Sequence, residues 1–402
     1  VKSIREKDGI STSGDDPVAV VVEAPQHAGL SATLDYRCER TLSPGTLVRV
    51  PLGRRHVPGI VWERASGPAT DAALVKPVGD VLDALPPLPA AWRQLVAFAA
   101  GYYQRSLGEL ALAVLPPELR KLDSTQLARR LQPRAPALAA VAAASAPALN
   151  AAQRQAVAAL ADAAPATWLL HGVTGSGKTE VYLQAAAEVL AAGRQVLVLV
   201  PEINLTPQLE ARFAERFAGR RLVCLHSALT PAQRLKSWLA AHLGQADLVL
   251  GTRLAVFTPL PRLGLIVVDE EHDPSFKQQE GARYSARDLA VWRGRNEGAR
   301  VLLGSATPSL ETWQRAEQGA YRRLALPERI GSGALPQVRI VDMGALPKAP
   351  HQETVLSAPL LAAMQQRLAR GEQSLVLLNR RGYAPVLHCG ACGWKSGCPH
   401  CS

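Results

Sequence analysis

Gly172-Val173-Thr174-Gly175-Ser176-Gly177-Lys178-Thr179 reads as a phosphate-binding loop, two glycines bracketing four residues and then Lys-Thr. A polyphosphate needs several aligned backbone N–H donors, and glycine lets the main chain wrap closely enough to supply them. In that reading Lys178 brings positive charge to the β- and γ-phosphates, and Thr179 offers a hydroxyl to Mg²⁺. The apolar run at 167–170 predicts a buried strand leading into the loop. The amphipathic stretch at 179–192 predicts a helix leaving it, with an N-terminus that favours anions. A chance glycine-rich turn would have neither neighbour.

Working outward, strand-like and helix-like stretches alternate from Leu149 onward. Apolar strands are expected at 195–200, 222–225, 248–250, 265–268 and 301–303, with helices between them. That alternation predicts an α/β fold, a parallel sheet covered by helices on both faces. Ligands on such sheets bind at the carboxyl ends of the strands, where the phosphate loop would sit. From Leu346 the pattern restarts, with a helix expected at 358–370 and a strand at 374–378. Upstream, residues 17–115 read as a small β-rich module with strands at 18–24, 47–52 and 57–63, then helices at 89–105 and 107–115. Residues 116–148 are basic and then Ala/Pro-rich, and read as a linker. Residues 1–16 are polar, lack periodicity, and read as a disordered tail. The expected order is therefore tail, module, linker, nucleotide-binding lobe (149–345), the start of a second lobe (346–388) and a cysteine module (389–402).

The 402 residues suffice for two or three domains, and 48% hydrophobic content supports real cores. No run of 18 apolar residues occurs and no secretory signal is visible, so the expected location is cytoplasmic, without a membrane partner. A net charge of +11 points to a polyanionic partner.

A second chemical signal is Leu265-Ile266-Val267-Val268-Asp269-Glu270-Glu271-His272, an apolar strand ending in consecutive acids. Asp269 would hold Mg²⁺ and Glu270 would act as general base on an attacking water. His272 could link the nucleotide to the next loop. A solvated acidic turn is the ordinary alternative, but here it shares a sheet with a phosphate loop. Gly304-Ser305-Ala306-Thr307-Pro308 closes another strand with small hydroxyl residues. Pro201 to Gln208 and Gly251-Thr252-Arg253 also follow strands, and their hydroxyls, amides and guanidinium suit a nucleic-acid backbone. Helix capping serves equally well there, with Thr206 before Pro207. Gln153, ahead of the first helix of the lobe, has the donor–acceptor pair to read adenine. In Phe276 to Tyr284, two aromatics with Lys277 and Arg283 could stack on single-stranded DNA, or Phe276 could pack in the core.

Of six cysteines, Cys38 and Cys224 stand alone, and four crowd the end as Cys389-x2-Cys392-x5-Cys398-x2-Cys401. Each CxxC brings two thiolates to one tetrahedral Zn²⁺. A five-residue spacer favours two zinc ions, each completed by a further pair, over one shared ion.

With these motifs in this order, the chain resembles the PriA-type replication-restart helicase family (primosomal protein N′). The stretches GVTGSGKTEVYL, PEINLTPQ, GTRLAVFTPL, DEEHDPSFKQQEG, YSARDLAV, GSATPSLET and LNRRGYAP look like that family's signatures, and the resemblance spans about residues 17–402. It implies recombinase-like lobes, a superfamily 2 DNA helicase driven 3′ to 5′ by ATP, and an N-terminal module that binds the 3′ end of a nascent strand. It implies recognition of forked and single-stranded DNA and of D-loops. The partners it implies are other primosome proteins, single-stranded DNA-binding protein and the replicative helicase loader. By resemblance the 3′-end pocket falls on Asp35 and Tyr36. ATP roles fall on Gln153, Lys178, Thr179, Asp269 and Glu270, and a basic motif opening the second lobe falls on Arg380 and Arg381.

The chain departs from that pattern in three places. Residues 116–148 are too few for the family's winged-helix domain, Ala282 stands where an aromatic-rich loop usually has Trp, and the remainder of the second lobe, with four more cysteines and an arginine finger, does not follow Ser402. The expectation is a helicase cut short at its C-terminus. The alternative is a non-enzymatic fork-binding protein without a complete motor.

Overall fold

In a computed structural model, residues 17–23, 33–63, 75–131, 147–161, 164–205, 207–330, 337–346 and 356–377 are described. The chain divides into two compact units, 1–332 and 333–402, so the boundary falls short of the residue 345 expected for the end of the lobe.

The first unit opens with a small sheet. Its strands are β1 (Val18–Val22), β2 (Leu34–Arg37), β3 (Leu47–Leu52), β4 (Arg55–Val61), β5 (Lys76–Pro77) and β6 (Asp80–Val81), in the order β5-β2-β1-β4-β3-β6. β3 and β4 form a hairpin whose turn uses Gly53 at φ 61°. Val20, Val48, Val50 and Val61 fill one side of this sheet. β2, β5 and β6 were not expected, being short and weakly apolar.

Three helices follow: α1 (Ala90–Tyr102), α2 (Leu107–Ala113) and α3 (Ser124–Leu131). α2 begins at Ser106, whose side chain accepts from Glu109 N, an N-cap that satisfies one open donor. α3 corrects the linker expectation. Residues 116–131 are folded, and Leu119, Leu122 and Leu127 are buried in the same core as α1 and α2. The apolar residues spaced through this basic segment give it a face to bury, which net composition conceals.

The lobe is a seven-stranded parallel sheet. In chain order its elements are α4 (Ala151–Ala161), β7 (Thr167–Gly172), α5 (Lys178–Ala191), β8 (Gln195–Leu199), α6 (Pro207–Arg216) and β9 (Leu222–Leu225). α7 (Pro231–His242), β10 (Leu248–Gly251), β11 (Leu263–Asp269), α8 (Ala286–Glu297), β12 (Arg300–Ser305), α9 (Leu310–Glu317) and β13 (Arg322–Leu326) complete it. The strand order is β13-β7-β12-β11-β8-β10-β9, and every pairing is parallel. The strands are apolar throughout because both faces are covered, Leu265 to Val268 being fully buried. β13 was not expected: it is an edge strand with arginines at Arg322 and Arg323 and carries little apolar signal.

One core cluster runs from Trp92, Leu95 and Leu112 of the module into Leu235, Phe257, Ile266 and Leu303 of the lobe. The module is therefore packed on the lobe and not held at the end of a linker.

The second unit contains α10 (Ala358–Ala369), started by Ser357 accepting from Leu360 N, with Pro at its first turn. Residues 374–377, expected to begin a strand, have no strand conformation, and Leu375 and Leu377 are exposed. A strand is stable only with a ladder partner, and none pairs with them among the described residues.

Candidate nucleotide and DNA site

Strand order does what sequence order does not. β7, β12 and β11 are adjacent, so the phosphate loop, the Ser-Ala-Thr turn and the acidic motif emerge side by side. Glu271 N donates to Gly304 O at 3.0 Å, joining the ends of β11 and β12.

The phosphate loop is shaped by Gly175 and Gly177, both left-handed at φ 81° and 79°. A Cβ on Gly177 would come within 2.4 Å of both Gln153 Nε2 and Ile330 Cδ1. Ser176 N donates to Val173 O at 3.0 Å, and Val173 N to Leu326 O at 3.2 Å. Arg329 Nε donates to Thr174 O at 2.9 Å and Ile330 N to Gly175 O at 2.9 Å, so the segment after β13 also braces the loop. Lys178, buried at the first position of α5, donates to Gly172 O at 3.0 Å and lies 3.8 Å from Glu270 Oε1. Thr179 follows it on α5, half-buried.

Gln153 is placed differently from the adenine reading. It is buried, its Oε1 accepts from Asn150 N at 3.0 Å, and its Nε2 points to Ser176 O and Gly177 O at 3.3 Å. Here the amide holds the phosphate loop in shape.

Asp269 accepts from Tyr182 Oη at 2.9 Å. Burial raises its carboxyl above the usual range, against the lowering effects of that hydrogen bond and of Lys178. Burial also pushes the Tyr182 phenol well above its ordinary pKa, so it stays a donor. Tyr182 had no expected role, yet it lies four residues after Lys178 and so on the same helix face. Gly304 makes room for it, since a Cβ there would meet Tyr182 Oη at 1.6 Å. Glu270 sits at φ 47°, a left-handed conformation that costs a non-glycine residue about 1–3 kcal/mol and that clusters at functional sites.

The rest of the acidic motif is tied to the neighbouring turn. His272 Nδ1 is 2.7 Å from Ser305 Oγ, and Nε2 is 3.4 Å from Thr307 Oγ1. Glu271 is buried and accepts from Ser309 N (2.7 Å), Ser309 Oγ (3.1 Å), Thr312 Oγ1 (2.8 Å) and Arg287 Nη1 (3.3 Å). Motif reading passed over it because a carboxylate between two candidate catalytic residues carries no pattern of its own.

These residues fit a bound MgATP. Ser176 Oγ is buried without a hydrogen-bond partner in the loop that leads into Lys178, and a hydroxyl with an ammonium is a donor set suited to phosphate. Asp269 and Thr179 would supply oxygen ligands of the kind a hard cation takes.

The expected DNA residues scatter. Arg253 Nη1 donates to Ser275 O at 2.6 Å and lies 3.4 Å from Lys277 O, bracing that segment. Phe276 and Tyr284 are buried, Tyr284 edge-on to Phe257 at 5.0 Å, so Phe276 takes the core-packing alternative and Tyr284 packs inward instead of offering a face to bases. The apolar neighbours beneath the loop outcompete solvent for them. Lys277 and Arg283 remain exposed. Tyr36 is likewise buried, its hydroxyl donating to Pro51 O at 3.2 Å, so it supports the module's core, and strand alternation places Asp35 on the other face. Arg380, Arg381, Cys389, Cys392, Cys398 and Cys401 lie outside the described residues. Among the described residues no group of three or more His, Cys, Asp or Glu is arranged to hold a metal ion, and no helix is long and apolar enough to cross a membrane. A cavity of about 480 Å³, lined by Leu110, Val114, Trp238, Arg253, Gln278 and Tyr284, opens between module and lobe.

A phosphate loop, an acidic strand end and a Ser-Ala-Thr turn on three neighbouring parallel strands define a helicase-type nucleotide-binding lobe. Comparison with known proteins agrees: residues 150–316 match the DEAD/DEAH box helicase family, and residues 19–116 match a 3′DNA-binding domain (3′BD). The Replication restart protein PriA of Haemophilus influenzae is 50% identical over 234 residues, covering 58% of this chain and 31% of that protein. The PriA of Rickettsia felis is 37% identical over 371 residues, 92% of this chain and 55% of that one. Among solved structures, RecG bound to a three-way DNA junction aligns with 60% of this chain and 30% of that chain at 22% identity and a TM-score of 0.36, too slight a likeness to bear on function. The chain belongs to the PriA family of replication-restart proteins, and carries that family's helicase and 3′ DNA-binding domains. It spans about half or less of the length of these curated relatives.

Proposed function

We propose that this chain works as an ATP-dependent DNA helicase of replication restart, moving 3′ to 5′ and recognising forks and D-loops by a free 3′ end. The observation that carries this reading is the convergence of Lys178 and Glu270, 3.8 Å apart, in a lobe that shares its core with a 3′-end module. Bound MgATP supplies the phosphoanhydride to be hydrolysed. Lys178 neutralises charge on the phosphate side, while Asp269 and Thr179 would hold the cation. Glu270 is the base for water, and its strained backbone aims the carboxylate back toward Lys178. His272, bonded to Ser305, carries a change at the acidic motif to the neighbouring turn. Arg253, Lys277 and Arg283, with Arg380 and Arg381, would meet the DNA backbone, and Asp35, backed by Tyr36 in the module's core, would frame the 3′-end site. Cys389, Cys392, Cys398 and Cys401 would contribute to two zinc sites. Primosome proteins, single-stranded DNA-binding protein and a helicase loader are the proposed partners, in the cytoplasm.

The test is ATP turnover by the full-length protein with and without forked DNA bearing a free 3′ end. The expected result is DNA-stimulated turnover, lost about a hundredfold or more in Lys178→Ala, with fork binding retained. Equal loss of turnover and fork binding would refute this division of labour.

A further inference from the structure

Residues 277–285 form a closed loop with both feet on one residue of the N-terminal module. Lys277 and Ser285 face each other as an antiparallel bridge, and Gln278 N donates to Tyr284 O at 2.8 Å. Tyr103, the residue that caps the C-terminus of α1, reaches both feet at once. Its hydroxyl accepts from Ser285 N at 3.0 Å, and its ring lies beneath the Lys277 ammonium, 5.2 Å from centroid to Nζ.

Each foot leads to the acidic motif within a few residues. On the Lys277 side, Lys277 N donates to Pro274 O, and Asp273 N donates to Glu270 O at 2.8 Å. On the other side Ser285 is the N-cap of α8, and Arg287, two residues on, donates to Glu271 at 3.3 Å and to Ser309 Oγ at 2.8 Å. A shift of the loop's feet is therefore passed to Glu270 through Pro274 and Asp273, and to Glu271 through Arg287.

A phosphate that draws the exposed Lys277 ammonium outward weakens its contact with the Tyr103 ring. We propose that Tyr103 is a positioning residue: it holds Lys277 and the start of α8 in an arrangement that DNA must displace, and so sets how far DNA raises ATP turnover. This rests on the helicase reading above. It also gives the module's packing on the lobe a role, since the residue that senses the loop belongs to the 3′-end module. DNA phosphates compete with the Tyr103 ring for Lys277. Contacts made only in the DNA-free arrangement stabilise it, and removing them shifts the population toward the other arrangement.

The test uses the full-length protein with Tyr103→Leu, which loses ring and hydroxyl, and Tyr103→Phe, which loses the hydroxyl alone. ATP turnover is measured without DNA and across a titration with forked DNA, alongside a thermal melt. Tyr103→Leu is expected to raise DNA-free turnover about three- to tenfold, the size expected from one hydrogen bond and one cation–π contact. Turnover at saturating DNA stays unchanged, and the half-saturating DNA concentration falls by a similar factor because both follow from the same population shift. Tyr103→Phe gives a smaller rise, about twofold, and decides the matter should the Leu variant misfold. A purely structural role predicts a lower melting temperature with DNA-free turnover unchanged or reduced, and that result overturns the inference. A wild-type protein that DNA does not stimulate at all would instead overturn the helicase reading itself.

Discussion

The phosphate-loop edge of the lobe and the seam between lobe and module are built on the same parallel sheet, but by opposite means. At the phosphate loop, eight consecutive residues carry most of the chemistry, and glycine backbone geometry does the shaping. At the seam, single side chains from distant segments do the work. Trp92 Nε1 donates to Phe257 O at 2.7 Å, Phe98 stacks on Trp292 at 4.6 Å, and His242 Nε2 bonds Pro86 O at 2.8 Å. A site that must wrap a polyanion needs contiguous N–H groups and is therefore local in sequence. A packing seam needs only complementary surfaces, and these can come from anywhere.

The contrast predicts that the two regions fail separately. The largest effect is expected at the nucleotide edge. Glu270→Gln should lower DNA-stimulated ATP turnover by about 10²- to 10⁴-fold, with nucleotide affinity and thermal stability little changed. A parallel loss of stability would show that Glu270 is structural as well as catalytic. Next in size is the seam. Trp92→Ala removes a fully buried indole and its hydrogen bond, and should cost about 3–5 kcal/mol by denaturant melt. Nucleotide affinity, measured below the melting range, should hold. If it fell in step with stability, the two regions would be one cooperative device.

The smallest effect is a pH dependence confined to the seam. Burial lowers the pKa of His242, although the Pro86 carbonyl pulls the other way. The folded state therefore resists a proton that the unfolded chain accepts. As pH falls below the ordinary histidine value of about 6.5, the unfolded state binds more protons and stability declines until the lowered folded pKa is reached. His242→Gln should flatten that slope without changing turnover near pH 8. An unchanged slope in that variant would assign the acid sensitivity to another group.

The same contrast explains which parts of the molecule were legible from sequence. The strands around the phosphate loop were readable because burial on both faces demands unbroken apolar runs. β13 was not, because an edge strand can carry Arg322 and Arg323 on its ladder. Lys178, Asp269 and Glu270 could be nominated by motif, whereas Tyr182 could be found only by asking what lies one turn beyond Lys178. Tyr284 shows the reverse failure, while Phe276 left both readings open. An aromatic between charged residues looks like a stacking platform, and only the surface beneath it decides whether the ring faces water or the core.

By itself, then, the sequence determined the α/β class of the lobe, the phosphate loop and the acidic strand end, because each depends on short-range geometry repeated at a fixed period. Tertiary structure alone decided that β7, β12 and β11 lie side by side, bringing Lys178 to 3.8 Å from Glu270. It alone folded residues 116–131 into a shared core and set Tyr103 against Lys277. Those outcomes depend on which distant surfaces bury one another, and that free energy belongs to pairs of segments and cannot be read from either one.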